Sequence, residues 1–155
     1  MDAIREPLLR LLTHLDLGGG EFQSLVVLSD SPERVEECIA VVERSLGKTN
    51  EQIHHLRPST GKELHHLCFS LRNIQLGPNE SVVMVTLLPP AGVDVNSWNA
   101  DLFRGFAGMN MIRNPFSREM KAALIFLGTR EMQAIFRSAA PDFWDIRRAV
   151  IPLGE

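Results

Sequence analysis

The chain has 155 residues, 45% of them hydrophobic and 23% charged, with a formal net charge of −3. This length suits one folded domain, and the apolar fraction excludes a chain that is mainly disordered. The negative charge argues against a general nucleic-acid binder, and no apolar run approaches the roughly 20 residues that cross a membrane. Two cysteines and an N-terminus without a secretory signal predict a reducing, cytoplasmic setting.

Short apolar runs alternate with amphipathic stretches along the chain. Spacing and capping residues predict helices at 5–17, 32–46, 61–74, 96–110 and 130–139. Apolar and branched runs predict strands at 24–29, 52–56, 82–88, 122–127 and 148–153, the last at a sheet edge because it contains a proline. This alternation is typical of βαβ units. We therefore predict an α/β fold, a three-layer sandwich whose mostly parallel sheet of about five strands has helices on both faces. It forms one domain over residues 1–155, with a leading helix at 5–17 and a core at 22–153.

The turn after the first strand is where an open α/β sheet binds its ligand. A phosphate-binding loop needs glycines there, because they let backbone N–H groups approach the phosphates. This turn reads Ser29-Asp30-Ser31-Pro32-Glu33, without glycine and with two acids that would repel a phosphate. The strand at 82–88 is followed by two prolines, where a nucleotide hydrolase would place a carboxylate for Mg²⁺. We therefore predict neither a nucleotide cofactor nor a metal.

Histidines and cysteines are the other candidates for catalysis or metal binding. The pairs His54-His55 and His65-His66 direct adjacent rings apart, and no H-E-x-x-H motif occurs. Solvated or capping histidines are the favoured interpretation. Cys38 and Cys68 lie on apolar helix stripes, which favours buried structural thiols. We therefore predict no catalytic residue. A small hydrolase that uses Cys68 with a histidine remains an alternative, ranked below the two functions given at the end of this subsection.

Arginine and large aromatic residues mark candidate contact positions. Arginine outnumbers lysine thirteen to three, and residues 104–148 carry a local charge of +4. Arginine and tryptophan are enriched at protein interfaces. Phe143 and Trp144 either pack against the sheet edge or form an exposed anchor. On the second interpretation, the residues predicted to bind a partner are Trp98, Arg104, Phe143, Trp144 and Arg147.

Three segments carry a family resemblance when they are taken together. The first is the helix 8–12 followed by 23–35, with an Asp-Ser-Pro turn in place of a phosphate loop. The second is the strand 82–88 followed by a helix with Trp98-Asn99, and the third is 123–128 leading to the string Ala139-Ala-Pro-Asp-Phe-Trp144. Together they resemble the α/β module of bacterial STAND-type signalling proteins, in the subset called inactive STAND. The resemblance implies a P-loop NTPase-like or Rossmann-like fold whose nucleotide motifs are lost and whose first strand lies centrally in the sheet.

The resemblance also implies a function. We expect a non-catalytic protein-interaction or scaffold module in a bacterial signalling or defence system. Its expected partners are proteins of a multi-component system, such as a protease or another effector, with no membrane and no nucleic acid, and a homo-oligomer is left open. The alternative is a nucleotide-binding regulatory domain without hydrolysis, whose site Ser29, Asp30 and Ser31 would line.

Overall fold

The computed structural model describes residues 2–18, 21–110 and 120–154. The helices are α1 (Asp2–Gly18), α2 (Pro32–Gly47), α3 (Gly61–His65), α4 (Leu67–Arg72), α5 (Val95–Met109), α6 (Arg130–Ala139) and α7 (Pro141–Asp145). The strands are β1 (Gln23–Leu28), β2 (Gln52–Leu56), β3 (Glu80–Thr86), β4 (Ala123–Gly128) and β5 (Arg147–Pro152). Each predicted helix and strand therefore has a counterpart at nearly the same position.

The five strands form one parallel sheet in the order β2-β3-β4-β1-β5. β1 lies between β4 and β5, so Val26 pairs with Phe126 on one side and with Val150 on the other. The predictions of a parallel sheet and of a last strand at the edge are confirmed. The expectation of a central first strand is wrong, because β4 is the middle strand and β1 lies between it and the edge strand β5. Because all strands run in one direction, the turns after β1, β3 and β4 open at the same carboxyl edge of the sheet.

Helices cover both faces of the sheet and enclose a separate core on each. Val26 and Leu28 pack with residues of α3 to α7, whereas Leu25 and Val27 pack with residues of α1 and α2. Burial on both faces explains why β1 appears in the sequence as a continuous apolar run. Within the described ranges, none of the helices is both long and apolar enough to cross a membrane.

The predicted helix at 61–74 is interrupted at His66. The Thr60 hydroxyl accepts a hydrogen bond from the Glu63 N–H at 3.2 Å, as the capping box predicts. His66 has φ −91° and ψ 8°, outside the α-helical region, so α3 and α4 are separate helices. Leu64 and Leu67 both remain buried across the break. The apolar spacing therefore identified the buried side correctly, although it could not show that the helix breaks at His66.

Candidate functional site

The turn between β1 and α2 occupies the position of a phosphate-binding loop, but several of its backbone donors already make hydrogen bonds within the protein. Ser31 N–H donates to the Ser29 hydroxyl at 3.0 Å, and Arg34 N–H donates to the Ser31 hydroxyl at 3.3 Å. Pro32, the first residue of α2, has no N–H to offer. A phosphate placed here would therefore find few of the amide donors that make a helix N-terminus an anion site.

Asp30 connects this turn to the turn between β4 and α6 through a hydrogen bond. Its Oδ1 accepts a hydrogen bond from the Arg130 N–H at 3.1 Å, at the beginning of α6. The N-cap residue of α6, Thr129, makes no side-chain capping bond, so Asp30 takes over that role from a different turn. Ser29 N–H donates to the Gly128 carbonyl at 2.9 Å and joins the same two turns. Hydrogen bonds thus join the two turns at the carboxyl edge, where a ligand would need an opening. Asp30, which is exposed there, is an acid.

The end of β3 also carries structural contacts in place of ligand chemistry. The Leu87 carbonyl accepts a hydrogen bond from Trp98 Nε1 at 3.1 Å, which anchors α5 to the sheet. The next carboxylate, Asp94, caps α5 by accepting from the Ser97 N–H at 2.9 Å. That N–H, together with the Ser97 hydroxyl, holds the pKa of Asp94 below its usual range. Among the described residues, no group of three His, Cys, Asp or Glu side chains could hold a metal ion.

The aromatic residues predicted to bind a partner are buried. Trp98 is 2% exposed, Phe143 0% and Trp144 6%, and all three belong to the core beneath α3 to α7. The prediction of an exposed anchor is therefore wrong for Phe143 and Trp144, because α7 turns both of its large rings inward against α6. Trp98, which was also predicted to contact a partner, is buried because α5 packs it against the sheet. Arg147 is half-buried, with its guanidinium 4.3 Å from the centre of the Trp144 ring, and Arg104 is exposed on α5. The structure brings Phe143, Trp144 and Arg147 together.

Asn110 explains how the short helix α7 is placed, and sequence analysis missed it. Its Oδ1 accepts hydrogen bonds from the N–H groups of Asp142 at 2.7 Å and Phe143 at 3.2 Å. The local N-cap residue of α7 is Ala140, which has no side chain that can accept such a bond. The sequence offers one signal for such a contact, because no polar N-cap residue precedes Pro141. That signal does not indicate which distant residue supplies the cap.

Three of the five histidines pair with carboxylates from other elements. His54 Nδ1 lies 3.0 Å from Glu80 Oε1, His55 Nε2 lies 3.0 Å from Glu43 Oε1, and His65 Nε2 lies 2.6 Å from Asp101 Oδ1. These partners are 12 to 36 residues away in the chain, which is why spacing did not reveal them. These three histidines therefore join secondary-structure elements.

The two thiols lack the surroundings of a nucleophile. Burial raises the pKa of Cys38 to about 12, and partial burial raises the pKa of Cys68 as well. A reactive thiol needs the opposite shift, toward the thiolate. His65, which lies three residues before Cys68 and was the candidate base, pairs with Asp101. The geometry therefore gives no support to a hydrolase that uses Cys68.

Glu80, on β3, is expected to make the free energy of unfolding depend on pH. The Gly77 N–H and then His54 hold the pKa of Glu80 below its usual range. A lowered folded-state pKa stabilises the fold above the unfolded pKa of about 4.3, and that contribution is lost as the pH falls through the folded value. We expect the free energy of unfolding to decrease between about pH 5 and pH 3, and to decrease less steeply in Glu80→Gln. Urea unfolding at a series of pH values measures both slopes, and equal slopes would contradict the expectation.

A cavity of about 400 Å³ lies at the opposite, amino-terminal edge of the sheet. Its charged lining residues are all acids, which would repel a phosphate. The cavity is therefore unsuited to a nucleotide in both position and charge. It is lined by Leu12, Leu15, Asp16, Glu21, Gln23, Ser45, Leu46, Thr49, Glu51, Ser81, Val82 and Ala123.

Comparison of the sequence with protein-family models and with curated proteins gives no match. Among solved structures, the chain is similar to the ORC2 protein of Aeropyrum pernix in its ADPNP-ADP complexes, with a TM-score of 0.51 and 12% sequence identity. The similarity covers 96% of this chain and 46% of the ORC2 chain, so the chain spans just under half of that protein's length. At this identity the likeness establishes the fold alone, which is an α/β fold of the P-loop NTPase-like type.

Proposed function

We propose that this protein is a non-catalytic protein-interaction or scaffold module that keeps a P-loop NTPase-like fold without its nucleotide chemistry. The observation that carries the proposal is the closed turn between β1 and α2. There the N–H groups of Ser31 and Arg34 are bonded to hydroxyls of the turn, and Pro32 has none. In addition, the negative charge of the Asp30 carboxylate would repel a phosphate at this turn.

The biological setting is part of the same proposal. The resemblance of the sequence to inactive STAND modules supports a place in a bacterial signalling or defence system. On that interpretation the fold serves as a platform, because a parallel sheet with helices on both faces holds surface side chains in fixed relative positions. A protein partner, such as a protease or another effector of the same system, would recognise that platform.

A nucleotide-binding regulatory domain without hydrolysis is the second candidate function. The likeness to ORC2, whose solved structure is of ADPNP-ADP complexes, favours it. In this chain the phosphates would lie against Ser29, Asp30 and Ser31. Those residues would first have to give up the hydrogen bonds that they now make with one another and with β4 and α6. That cost makes this function the weaker of the two.

Titration calorimetry with ATP, ADP and GTP, each with Mg²⁺, tests the first function against the second. We expect no binding at nucleotide concentrations up to about 1 mM, which corresponds to less than about 4 kcal/mol of binding free energy. The reason is that the donors a phosphate needs are bonded elsewhere. Binding in the low micromolar range would instead establish the regulatory alternative.

The Asp30→Asn variant shows where any bound nucleotide lies. Removing the Asp30 charge removes repulsion only for a phosphate at the β1–α2 turn, so a ligand there should bind the variant more tightly. Asn keeps an oxygen that can accept the Arg130 N–H bond, which limits the structural disturbance. Glu51→Gln, in the cavity at the other edge, is the matched control.

A further inference from the structure

The outer side of α3 and α4 carries two positive charges, on Lys62 and Arg72, that no described residue pairs with. Lys62, His66 and Arg72 are exposed, and within the described ranges none of their side chains has a hydrogen-bonded or ion-pair partner. Phe69 lies among them and is 66% exposed. We call these four residues the α3–α4 face. It differs in sign from the chain as a whole, whose formal charge is −3.

The carboxylates around this face are already used. Glu63 Oε1 accepts from the Ser59 hydroxyl at 2.9 Å and from the Thr60 hydroxyl at 3.3 Å, so it is directed back toward the beginning of α3. Asp101 pairs with His65 at 2.6 Å, and this contact belongs to the packing of α3 on α5. Glu63 keeps its negative charge, but these contacts hold it toward the beginning of α3. The unpaired Lys62 and Arg72 are therefore the cations that an approaching anion can pair with.

Two concave surfaces flank His66, and this residue lines both. One, of about 280 Å³, has apolar lining from Leu56, Pro58 and Leu67. Its charged lining residues are Arg57, Lys62 and Glu63, of which Arg57 pairs with Glu36. The other, of about 740 Å³, is more open and is lined by Phe69 and Arg72 among others. An apolar side chain fits the first surface, and acidic side chains fit the cations on either side of it.

From this arrangement we infer that the α3–α4 face binds an acidic, amphipathic segment of a partner protein. The occupant's carboxylates pair with Lys62 and Arg72, and its apolar side chain packs against Phe69 or enters the concave surface beside Lys62. Charge complementarity selects this partner over a nucleic acid, because stacked bases and a phosphate backbone require several aromatic platforms and a longer track of cations. The inference rests on the proposed function and names the surface and the class of partner for it.

Peptide selection tests this inference directly. The probe is a displayed peptide library in which acidic and basic residues are equally frequent, selected on the intact protein. We expect the recovered peptides to be rich in Asp and Glu around Leu, Phe or Trp. Their affinity, measured by fluorescence anisotropy, should fall as the salt concentration rises, because exposed ion pairs are screened. Basic or neutral peptides, or no recovered peptide, would overturn the inference.

Paired variants show whether binding occurs on this face. The test variant combines Lys62→Glu, Phe69→Ser and Arg72→Glu, and we expect it to lose at least about tenfold in affinity. The control combines Arg44→Glu, Lys48→Glu and Leu17→Ser, which matches the change in charge and removes an equally exposed apolar side chain elsewhere. We expect the control to change affinity by less than about twofold. Equal affinities for both variants would overturn the inference, provided that circular dichroism shows both are folded.

Two further measurements exclude other occupants of the face. Concentration-dependent sedimentation that disappears in the test variant would identify a second copy of this chain as the occupant. Displacement of the selected peptides by a single-stranded RNA oligonucleotide would identify a nucleic acid. Either result would overturn the inference. Nucleotide binding at the β1–α2 turn together with intact peptide binding would contradict the proposed function alone, so the two failures are distinguishable.

Discussion

Trp144→Ala is expected to lower the free energy of unfolding by about 3–5 kcal/mol. The Trp144 side chain is 6% exposed, and its ring meets the Phe136 ring edge-on at 5.4 Å. Truncation leaves a cavity in the aromatic cluster and removes the surface on which Arg147 stacks. Small domains are stable by only about 5–15 kcal/mol, so the loss is a large share of the total. Urea unfolding followed by far-ultraviolet circular dichroism measures it.

Phe69→Ala is the control for this experiment. The Phe69 ring is 66% exposed, so its removal should change stability by no more than about 0.5 kcal/mol. The pair of variants separates burial from aromatic character, because both remove a large ring. A Trp144→Ala protein that unfolds at the same urea concentration as its parent would show that Trp144 is not a core residue. The exposed-anchor interpretation would then return.

Gly105→Ala is expected to destabilise the protein by about 1–3 kcal/mol, although alanine favours helices. A Cβ atom at Gly105 would collide with the Leu64 carbonyl oxygen. Because that atom belongs to the backbone of α3, a whole helix has to shift to make room. The midpoint of thermal or urea unfolding measures the effect.

Gly108→Ala, one turn further along α5, is the matched control. A Cβ atom there would lie 3.5 Å from Cys68 Cβ, which is an ordinary contact. We expect this variant to be neutral or more stable by up to about 1 kcal/mol, because alanine replaces glycine in a helix. If both variants moved the unfolding midpoint in the same direction and by the same amount, α5 would not approach α3 as closely as the structure indicates.

The sequence predicted that the candidate site lacks a phosphate-binding loop, but it did not predict the hydrogen bonds that Asp30 and Asn110 make. The absence of glycine between Ser29 and Glu33 predicts that no phosphate loop forms, since backbone amides cannot approach a ligand there. The sequence does not show that Asp30 reaches across to cap α6, because its partner Arg130 is 100 residues away. The same distance problem hides the bond between Asn110 and α7.

The sequence by itself determined the parallel sheet and the order and type of most secondary-structure elements, but neither the break at His66 nor the short helix α7. It did so because strands buried on both faces require unbroken apolar runs, and helices require an apolar side and suitable caps. Only the tertiary structure decided which large side chains are inside. Trp144 and Phe69 are both aromatic residues in short helices, yet one is buried and the other exposed, because α7 is held against α6 while the outer side of α4 faces solvent. A local sequence pattern determines the secondary structure of a segment, whereas the exposure of its side chains depends on which other elements pack against it.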